Sequence, residues 1–578
     1  MNRRPISIAQ CATAVVRASR LPKLFLCALG GLCVLLWACS RQARVGADLI
    51  VTRANIWTGD PTEPRAEALA IVGDRIVEVG AAGEIDHWRG PSTVVVDAEG
   101  RRVFPGFNDS HVHFVDGGTA LDSVDLKDAD SPDEFARRIV ARARTQPGRW
   151  ILGGEWDDQR WTPPALPTRA LIDDGTGGTP VFVSRYDGHM ALANSAALGR
   201  AGITERTPDP PGGEIVRDAN GYPTGVLKDA AMDFVARVIP NKTSDERLRT
   251  VKRAMEHAAS LGVTSVQDMN PSYEDVAVYA DLANRGELTV RIYAAPMETG
   301  FYDQAKLGIH RSFGSAWLRL GAVKGYADGS LGSTTAYFFQ PYTDAPHARG
   351  LLSAEMQPLE HMRTRLLAAD AAGLQLCIHA IGDAAISQIL DLFGDVVRAN
   401  GDRDRRLRIE HAQHIAPKDF DRFAALKVIA SVQPYHAIDD GRWAERRIGP
   451  ERIKTTYAFR TLADKGVRLA FGTDWPVAPL NPLLSLHAAA TRATLDGKNP
   501  GGWVPEQKIG IADAVTAYTR GAAFAEFQER DKGTLARGRL ADLVILTDDI
   551  LTIPAAQIKD VRVLTTIVGG KVVYQRRP

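Results

Sequence analysis

Cysteine is scarce in this 578-residue chain: of five, Cys11, Cys27 and Cys33 precede position 39, leaving Cys39 and Cys377. That excludes a disulfide framework. Cys377 lies two residues before His379 in an apolar run and reads as a small core residue. Excess charge of either sign is also missing. Seventy basic against sixty-nine acidic residues leave a net charge of +1, with no long single-sign block, so nucleic acid is not an expected partner. No short-period repeat or extended low-complexity tract occurs. The N-terminal apolar run, 24–38, has fifteen residues, short of the roughly 18 that a membrane-spanning helix needs.

That run instead reads as an address. Arg3, Arg4, Arg17, Arg20 and Lys23 precede it, as in a signal peptide, and it closes on Leu36-Trp-Ala-Cys39-Ser. The closing residues resemble a bacterial lipobox. The expectation is that residues 1–39 are a lipoprotein-type signal, exporting the chain to the bacterial periplasm and anchoring it through lipid on Cys39. A signal cleaved elsewhere is the alternative.

What is abundant is alternation. Short β-rich runs at 49–52, 68–72, 75–79 and 93–97 are matched at the other end by runs at 541–546, 561–564 and 566–574. These terminal segments, 40–104 and 530–578, are expected to build one composite β-sandwich domain. Between them, eight strand-like runs (102–113, 263–269, 289–296, 318–326, 374–379, 407–411, 428–434 and 467–474) alternate with helical stretches such as 245–261, 359–372, 384–400 and 417–426. Such βα repetition predicts an α/β fold, a (β/α)8 TIM-like barrel over 105–529. The gap after the first run is too long for one connection, so about 114–239 is an insertion, emerging at the catalytic face. Its stretch Thr207-Pro-Asp-Pro-Pro-Gly-Gly213 reads as an exposed loop.

Metal-ligand residue types stand at the C-terminal ends of these strands. His111 and His113 form an HxH pair on the first, where alternate residues share one face and both imidazoles can reach one ion. Lys324 ends the fourth, His379 the fifth, His411 the sixth and Asp474 the eighth. A barrel converges such positions at one mouth, where barrel enzymes place catalysis.

Five motifs carry a resemblance: Pro105-Gly-Phe-Asn-Asp-Ser-His-Val-His113, Val323-Lys-Gly-Tyr-Ala-Asp-Gly-Ser-Leu-Gly-Ser333, Ile378-His-Ala-Ile-Gly-Asp383, Arg408-Ile-Glu-His-Ala-Gln413 and Gly472-Thr-Asp-Trp-Pro476. With them the chain resembles the amidohydrolase superfamily (amidohydrolase family 3), in its YtcJ-like branch that includes N-substituted formamide deformylase. Asn108 departs from the apolar residue common there. The resemblance implies a binuclear zinc centre, with His111, His113 and Asp474 on one ion, His379 and His411 on the other, and Lys324 bridging as an N-carboxylated side chain. Carboxylation needs the neutral amine, which burial beside cations favours. One metal with unmodified Lys324 is the alternative. The implied chemistry is hydrolysis of a C–N amide-type bond (an N-substituted formamide, N-acyl or cyclic amide) in a small molecule by metal-activated water. Asp474 would be both ligand and proton acceptor, later passing the proton to the leaving nitrogen.

Other residues have two readings each. His189 and Asp187 resemble a motif of related proteins and could bind a substrate carbonyl or carboxylate, or satisfy their own loop. Asp328 and Asp383 could support ligands or fix loops, His414 could support the centre or be structural, and His436 could touch substrate or lie exposed. Asp109 is expected to orient a histidine through its second ring nitrogen. Trp156, Trp161, Tyr186 and Trp475 could line an aromatic pocket or merely pack. Glu155 receives no role. The competing functions are hydrolysis of another carbonyl substrate, mononuclear deamination, and a metal-containing binding lipoprotein without turnover.

Overall fold

The computed structural model describes residues 46–577, so the expected signal segment and Cys39 lie outside the described residues. The centre of the molecule is two five-stranded sheets whose main strands run parallel. The first joins Phe107–Val112, Val263–Met269, Arg291–Ala295 and Leu318–Leu320; the second joins Ala322–Tyr326, Gln375–Ala380, Arg408–His411, Ile429–Val432 and Leu469–Phe471. These strands are largely buried, polar residues included; Val263–Met269, for example, has no exposed position.

The fourth predicted strand is split between the sheets at Gly321, whose φ is +107°. A side chain there would press a Cβ to 2.1 Å from the His310 carbonyl oxygen, so only glycine lets the chain step from one sheet to the other. The sheets meet along two seams. At one, Lys324 N–H donates to Pro296 O (2.9 Å); at the other, Asp474 N–H donates to His111 O (2.7 Å) and His113 N–H to Trp475 O (2.8 Å). The residues of greatest chemical interest therefore sit where the two sheets are stitched.

Helices lie between strands, close to their expected spans. Ser244–Ser260 begins in a reciprocal capping box between Thr243 and Glu246. Its buried face is Val251, Ala254, Met255 and Ala258, the spacing of an amphipathic helix. Leu359–Ala371 and Asp383–Asn400 lack a side-chain cap and are placed by their buried faces, Met362, Leu366 and Ala369 on one and Ile386, Ile389, Leu390 and Phe393 on the other.

The insertion has its own six-stranded mixed sheet, ordered Gly213–Arg217, Pro223–Asp229, Met190–Ala193, Phe182–Arg185, Gly153–Trp156, Val124–Asp125. Separate apolar clusters pack its two sides. The terminal segments share a sheet: Leu543–Leu546 pairs with Arg102–Pro105 on one edge and with Val563–Val568 on the other. That last strand runs through the position where two separate runs are expected, and turns at Gly569-Gly570 into Lys571–Gln575. A second, four-stranded sheet from residues 49–97 packs on it through Val51, Leu69, Ile71, Leu543, Ile545 and Ile567.

Candidate metal centre

A cavity of about 690 Å³ opens between the strand ends and the insertion, and His113, Lys324, His379, His411 and Asp474 all line it. Asp474 is the hub. Its Oδ1 lies 3.4 Å from His111 Nε2 and 3.2 Å from His113 Nε2, and its Oδ2 lies 4.0 Å from His411 Nδ1 and 3.9 Å from His436 Nε2. Two groups of donors close enough to hold a cation result among the described residues: His111, His113 and Asp474, and His411, His436 and Asp474. Asp474 and His411 both adopt left-handed backbone, φ +63° and +70°, which is uncommon outside glycine and aims both side chains back across the mouth. Gly472 permits the approach, since a Cβ there would lie 2.6 Å from His111 N.

His379 belongs to the same cluster by ring contact, 4.5 Å from His411 between centroids, but its Nε2 lies 3.1 Å from Gly329 O and 3.6 Å from Asp328 Oδ1. Lys324 is fully buried with Nζ 3.2 Å from His111 Nε2 and 4.6 Å from the Tyr326 ring centroid. Burial pushes its ammonium down to about 8, against the pull of Glu410 and Asp474, so the neutral amine is accessible near neutrality. Burial, then the neighbouring Lys324, takes His111 down to about 4, while burial and surrounding cationic groups hold His379 and His411 well below the usual histidine range. That shift favours the neutral imidazole, the form able to ligate a metal. Burial alone would raise the Asp474 carboxyl, but His111, His113 and His411 around it hold it well below the carboxylate range.

The residues fit a divalent cation. Asp474 Oδ1 and His436 Nε2 are buried atoms with no hydrogen-bond partner in the protein, which leaves both free to act as metal donors. Orientation comes from further out. His111 Nδ1 meets Glu410 Oε2 at 2.7 Å, and His113 Nδ1 meets Asn270 Oδ1 at 2.7 Å and Met269 O at 3.0 Å. His411 Nδ1 meets Gln433 Oε1 at 2.9 Å. Glu410 is itself clamped by Arg408, whose Nε lies 2.8 Å away. Burial would raise the Glu410 carboxyl; Arg408 and His111 bring it down to about 2. Sequence reasoning missed Glu410, although Arg408 and Glu410, two apart in one buried strand, face the same side.

Asp109 departs from its expected role. Its Oδ1 accepts the backbone N–H of His111 (3.1 Å) and of Thr473 (2.9 Å), and its Oδ2 accepts the Thr473 hydroxyl (2.7 Å). It ties the strand of His111 to that of Asp474, and touches no ring nitrogen. Asp328 is a loop organiser: it accepts backbone N–H groups of Ile381, Gly382 and Tyr337 while facing His379. Asp383 likewise accepts Phe339 N–H. His414 is structural, its Nδ1 2.8 Å from Thr456 Oγ1. His436 is enclosed beside Asp474 rather than exposed at the surface.

On the insertion, Asp187 accepts from Arg185, Ser330 and Ser333, pinning the insertion to the loop after Lys324, and His189 pairs with Asp229 beside His379. Tyr186 lines the cavity. Trp156, expected as a substrate contact, does not: it is fully buried in the insertion's core against Phe135, its indole N–H donating to Val183 O at 2.9 Å. The strand is bulged between Gly154 and Trp156, with Glu155 in left-handed backbone at φ +59°, and there Glu155 lines the cavity while Trp156 faces inward. Trp161 and Trp475 are also core residues. Cys377 is buried among Met269, Tyr293, Ala295 and Ala322.

Residues 94–574 match the model of the amidohydrolase family Amidohydro_3. The chain belongs to that family. It is 40% identical over 547 residues to protein LONG AFTER FAR-RED 3 of Arabidopsis thaliana, covering 92% of each chain. It is 30% identical to YtcJ of Bacillus subtilis (strain 168), over 89% of this chain and 96% of that one, and 28% identical to N-substituted formamide deformylase of Arthrobacter pascens, over 92% and 98%. Among solved structures, a metal-dependent hydrolase of unassigned activity from Pyrococcus horikoshii OT3 superposes with a TM-score of 0.71 at 30% identity, covering 88% of this chain and 99% of that one.

Proposed function

We propose that this amidohydrolase is a zinc-dependent hydrolase that cleaves a C–N amide-type bond, as in an N-substituted formamide, an N-acyl or a cyclic amide, in a small molecule. The observation that carries the reading is the convergence of His111, His113 and both oxygens of Asp474 at the base of an open cavity, with Asp474 Oδ1 buried and unpartnered. We read the two sheets, joined along their seams, as a (β/α)8 barrel, framed by a composite β-sandwich from the described parts of the terminal segments, 46–104 and 530–577. His111, His113 and Asp474 would hold the first cation. His379 and His411 would hold a second, with carboxylated Lys324 as an added oxygen donor; His436 groups with His411 and Asp474 as a further candidate donor. A bound divalent cation supplies Lewis acidity toward the scissile carbonyl and acidifies the attacking water.

The chain's own residues do the rest. Asp474, kept ionised by the surrounding histidines, accepts a proton from the attacking water. Glu410 and Asn270 fix the rings of His111 and His113, so the donors need no rearrangement. Asp187, His189, Asp328 and His436 stand at the walls of the cavity and its side chamber, where substrate groups must pass. The amide preference leans on the deformylase relative, whose name states its substrate. Among the described residues no helix is long and apolar enough to cross a membrane. Export and anchoring through Cys39 remain part of the proposal through residues 1–39.

The test is a screen of purified, zinc-loaded protein against N-formyl amines, N-acyl amino acids, cyclic amides and esters, with metal content measured alongside. Amide turnover that chelation abolishes is the expected result. Tight zinc binding with no turnover in any class would move the protein to the binding-lipoprotein reading, and preference for esters to the other-carbonyl reading.

A further inference from the structure

The bulge in the insertion's sheet turns one carboxylate into the cavity to which the proposed hydrolysis gives no part. Gly153, Gly154 and Glu155 follow one another at φ +92°, +114° and +59°. For glutamate that backbone is uncommon and strained, and it persists here at the wall of the substrate cavity. Glu155 lines the cavity of about 690 Å³ with its side chain 22% exposed. Its one hydrogen bond among the described residues comes from Lys127, whose Nζ lies 3.3 Å from Oε2 and 3.4 Å from Val477 O. Val477 also lines the cavity, and its N–H donates to Asp474 O at 2.8 Å. The Glu155 carboxylate therefore stands beside the loop that leaves the metal donors, with Oε1 free of any protein partner among the described residues.

Burial raises the Glu155 carboxyl above the ordinary carboxylate range, and Lys127 offsets that only in part. The carboxylate is thus short of positive charge. The rest of the wall has the same sign: away from the metal donors, Asp116, Asp233 and Glu355 add carboxylates. Beyond Lys324, the described lining offers two cations with side chains of their own to satisfy, Lys242 bonded to Thr119 and Arg185 spent on three aspartates. A cleft lined mainly by one sign of charge concentrates ligands of the other.

We propose that Glu155 is a specificity-determining residue that binds a positively charged group of the substrate, so that the preferred substrates are amides carrying an ammonium, as mono-N-acylated diamines do. This rests on the amide-hydrolysis reading. Lys127 is then a competitor, holding the Glu155 carboxylate until the substrate's ammonium shares it. A purely structural ion pair behaves differently, because removing either partner then has the same effect.

The experiment compares mono-N-formyl diamines of three to six methylenes with N-alkylformamides in which a methyl group replaces the ammonium. Full-length zinc-loaded protein is used unaltered and as Glu155→Gln and Lys127→Met, with zinc content measured for each. In the unaltered protein, the best formyl diamine should have a KM about tenfold below that of its neutral counterpart. Glu155→Gln should raise KM on that diamine about tenfold with kcat and zinc content retained, the pattern of binding lost equally from ground and transition states, and change KM on the neutral amide less than about threefold. Lys127→Met should move the diamine KM the other way, down about two- to threefold. No preference for the ammonium in the unaltered protein, an equal effect of Glu155→Gln on both series, or KM changes of the same sign in the two variants overturns the assignment while leaving the hydrolase reading intact. Inactivity of the unaltered protein on both series removes the formamide reading and this proposal together.

Discussion

Glu410 Oε2 lies 2.7 Å from His111 Nδ1, and both side chains are completely buried. The pair fixes which nitrogen of His111 faces Asp474 and Lys324, because the other is spent on the carboxylate. Glu410 in turn depends on Arg408, whose guanidinium also reaches Ser110 O at 2.7 Å and Gln267. A buried Arg–Glu pair thus lies directly beneath the candidate centre and has no contact with solvent.

Glu410→Gln should therefore weaken zinc binding by about 10- to 100-fold, the usual effect of losing the carboxylate behind a ligating histidine. It should also lower the melting temperature, since Arg408 keeps its charge and loses its only carboxylate; breaking such a buried pair costs roughly 3–5 kcal/mol. Competition against a chelator of known affinity measures the first effect and calorimetry the second. Unchanged zinc affinity in a folded variant would separate Glu410 from the metal.

Asp474→Asn should reduce kcat by about 10³-fold, in the range for removing a general base. The fold should persist. Asparagine is one of the few residues at ease in left-handed backbone, φ +63° here, and the backbone bond from residue 474 to His111 O does not involve the side chain. Turnover and melting temperature measured on one preparation decide the point; near-normal kcat with one fewer bound zinc would make Asp474 a ligand alone.

How far the sequence reveals this site depends on what each residue answers to. His111, His113, Lys324, His379, His411 and Asp474 stand at strand ends, and strand ends are readable from apolar runs, so their convergence follows once the strands are arranged around one axis. The strand limits themselves emerge within a few residues for the same reason. The break at Gly321 does not, because it depends on how closely His310 O passes, a contact between remote segments. Asp109 is legible as important, but its function is not. In sequence a carboxylate two residues before a histidine looks like a ring partner, whereas here it bonds the backbone of two strands. The Asp229 and His189 pair spans 40 residues across the insertion's sheet, and nothing local marks it.

Trp156 illustrates the same limit and gives a clean test. A bulge at Glu155, invisible in the sequence, turns Glu155 to the cavity and Trp156 to the insertion's core, where it packs on Phe135 with a T-shaped geometry at 6.2 Å. Trp156→Ala should cost about 3–5 kcal/mol of local stability and open residues 114–239 to limited proteolysis, while zinc content is kept. A variant with normal protease resistance and a raised KM would return Trp156 to the substrate pocket.

His414 sets part of the pH dependence of stability. Burial, then the nearby Arg452, pushes its imidazole down to about 3, and its ring is locked against Thr456 Oγ1 at 2.8 Å. The unfolded chain titrates near 6.5, so between about 3 and 6.5 the unfolded state binds the extra proton. The stabilisation from a neutral His414 is complete above pH 6.5 and is lost as pH falls through that window. At pH 5.5, about one unit below the unfolded value, the loss is about 1.4 kcal/mol. His414→Asn, which keeps a short polar group near Thr456 but cannot titrate, should be less stable at pH 7.5 yet lose less on acidification. Melting temperatures of both proteins at pH 7.5 and 5.5, at matched metal content, provide the comparison. Equal drops in the two proteins would mean that His414 is protonated within the fold and that the acid sensitivity arises elsewhere.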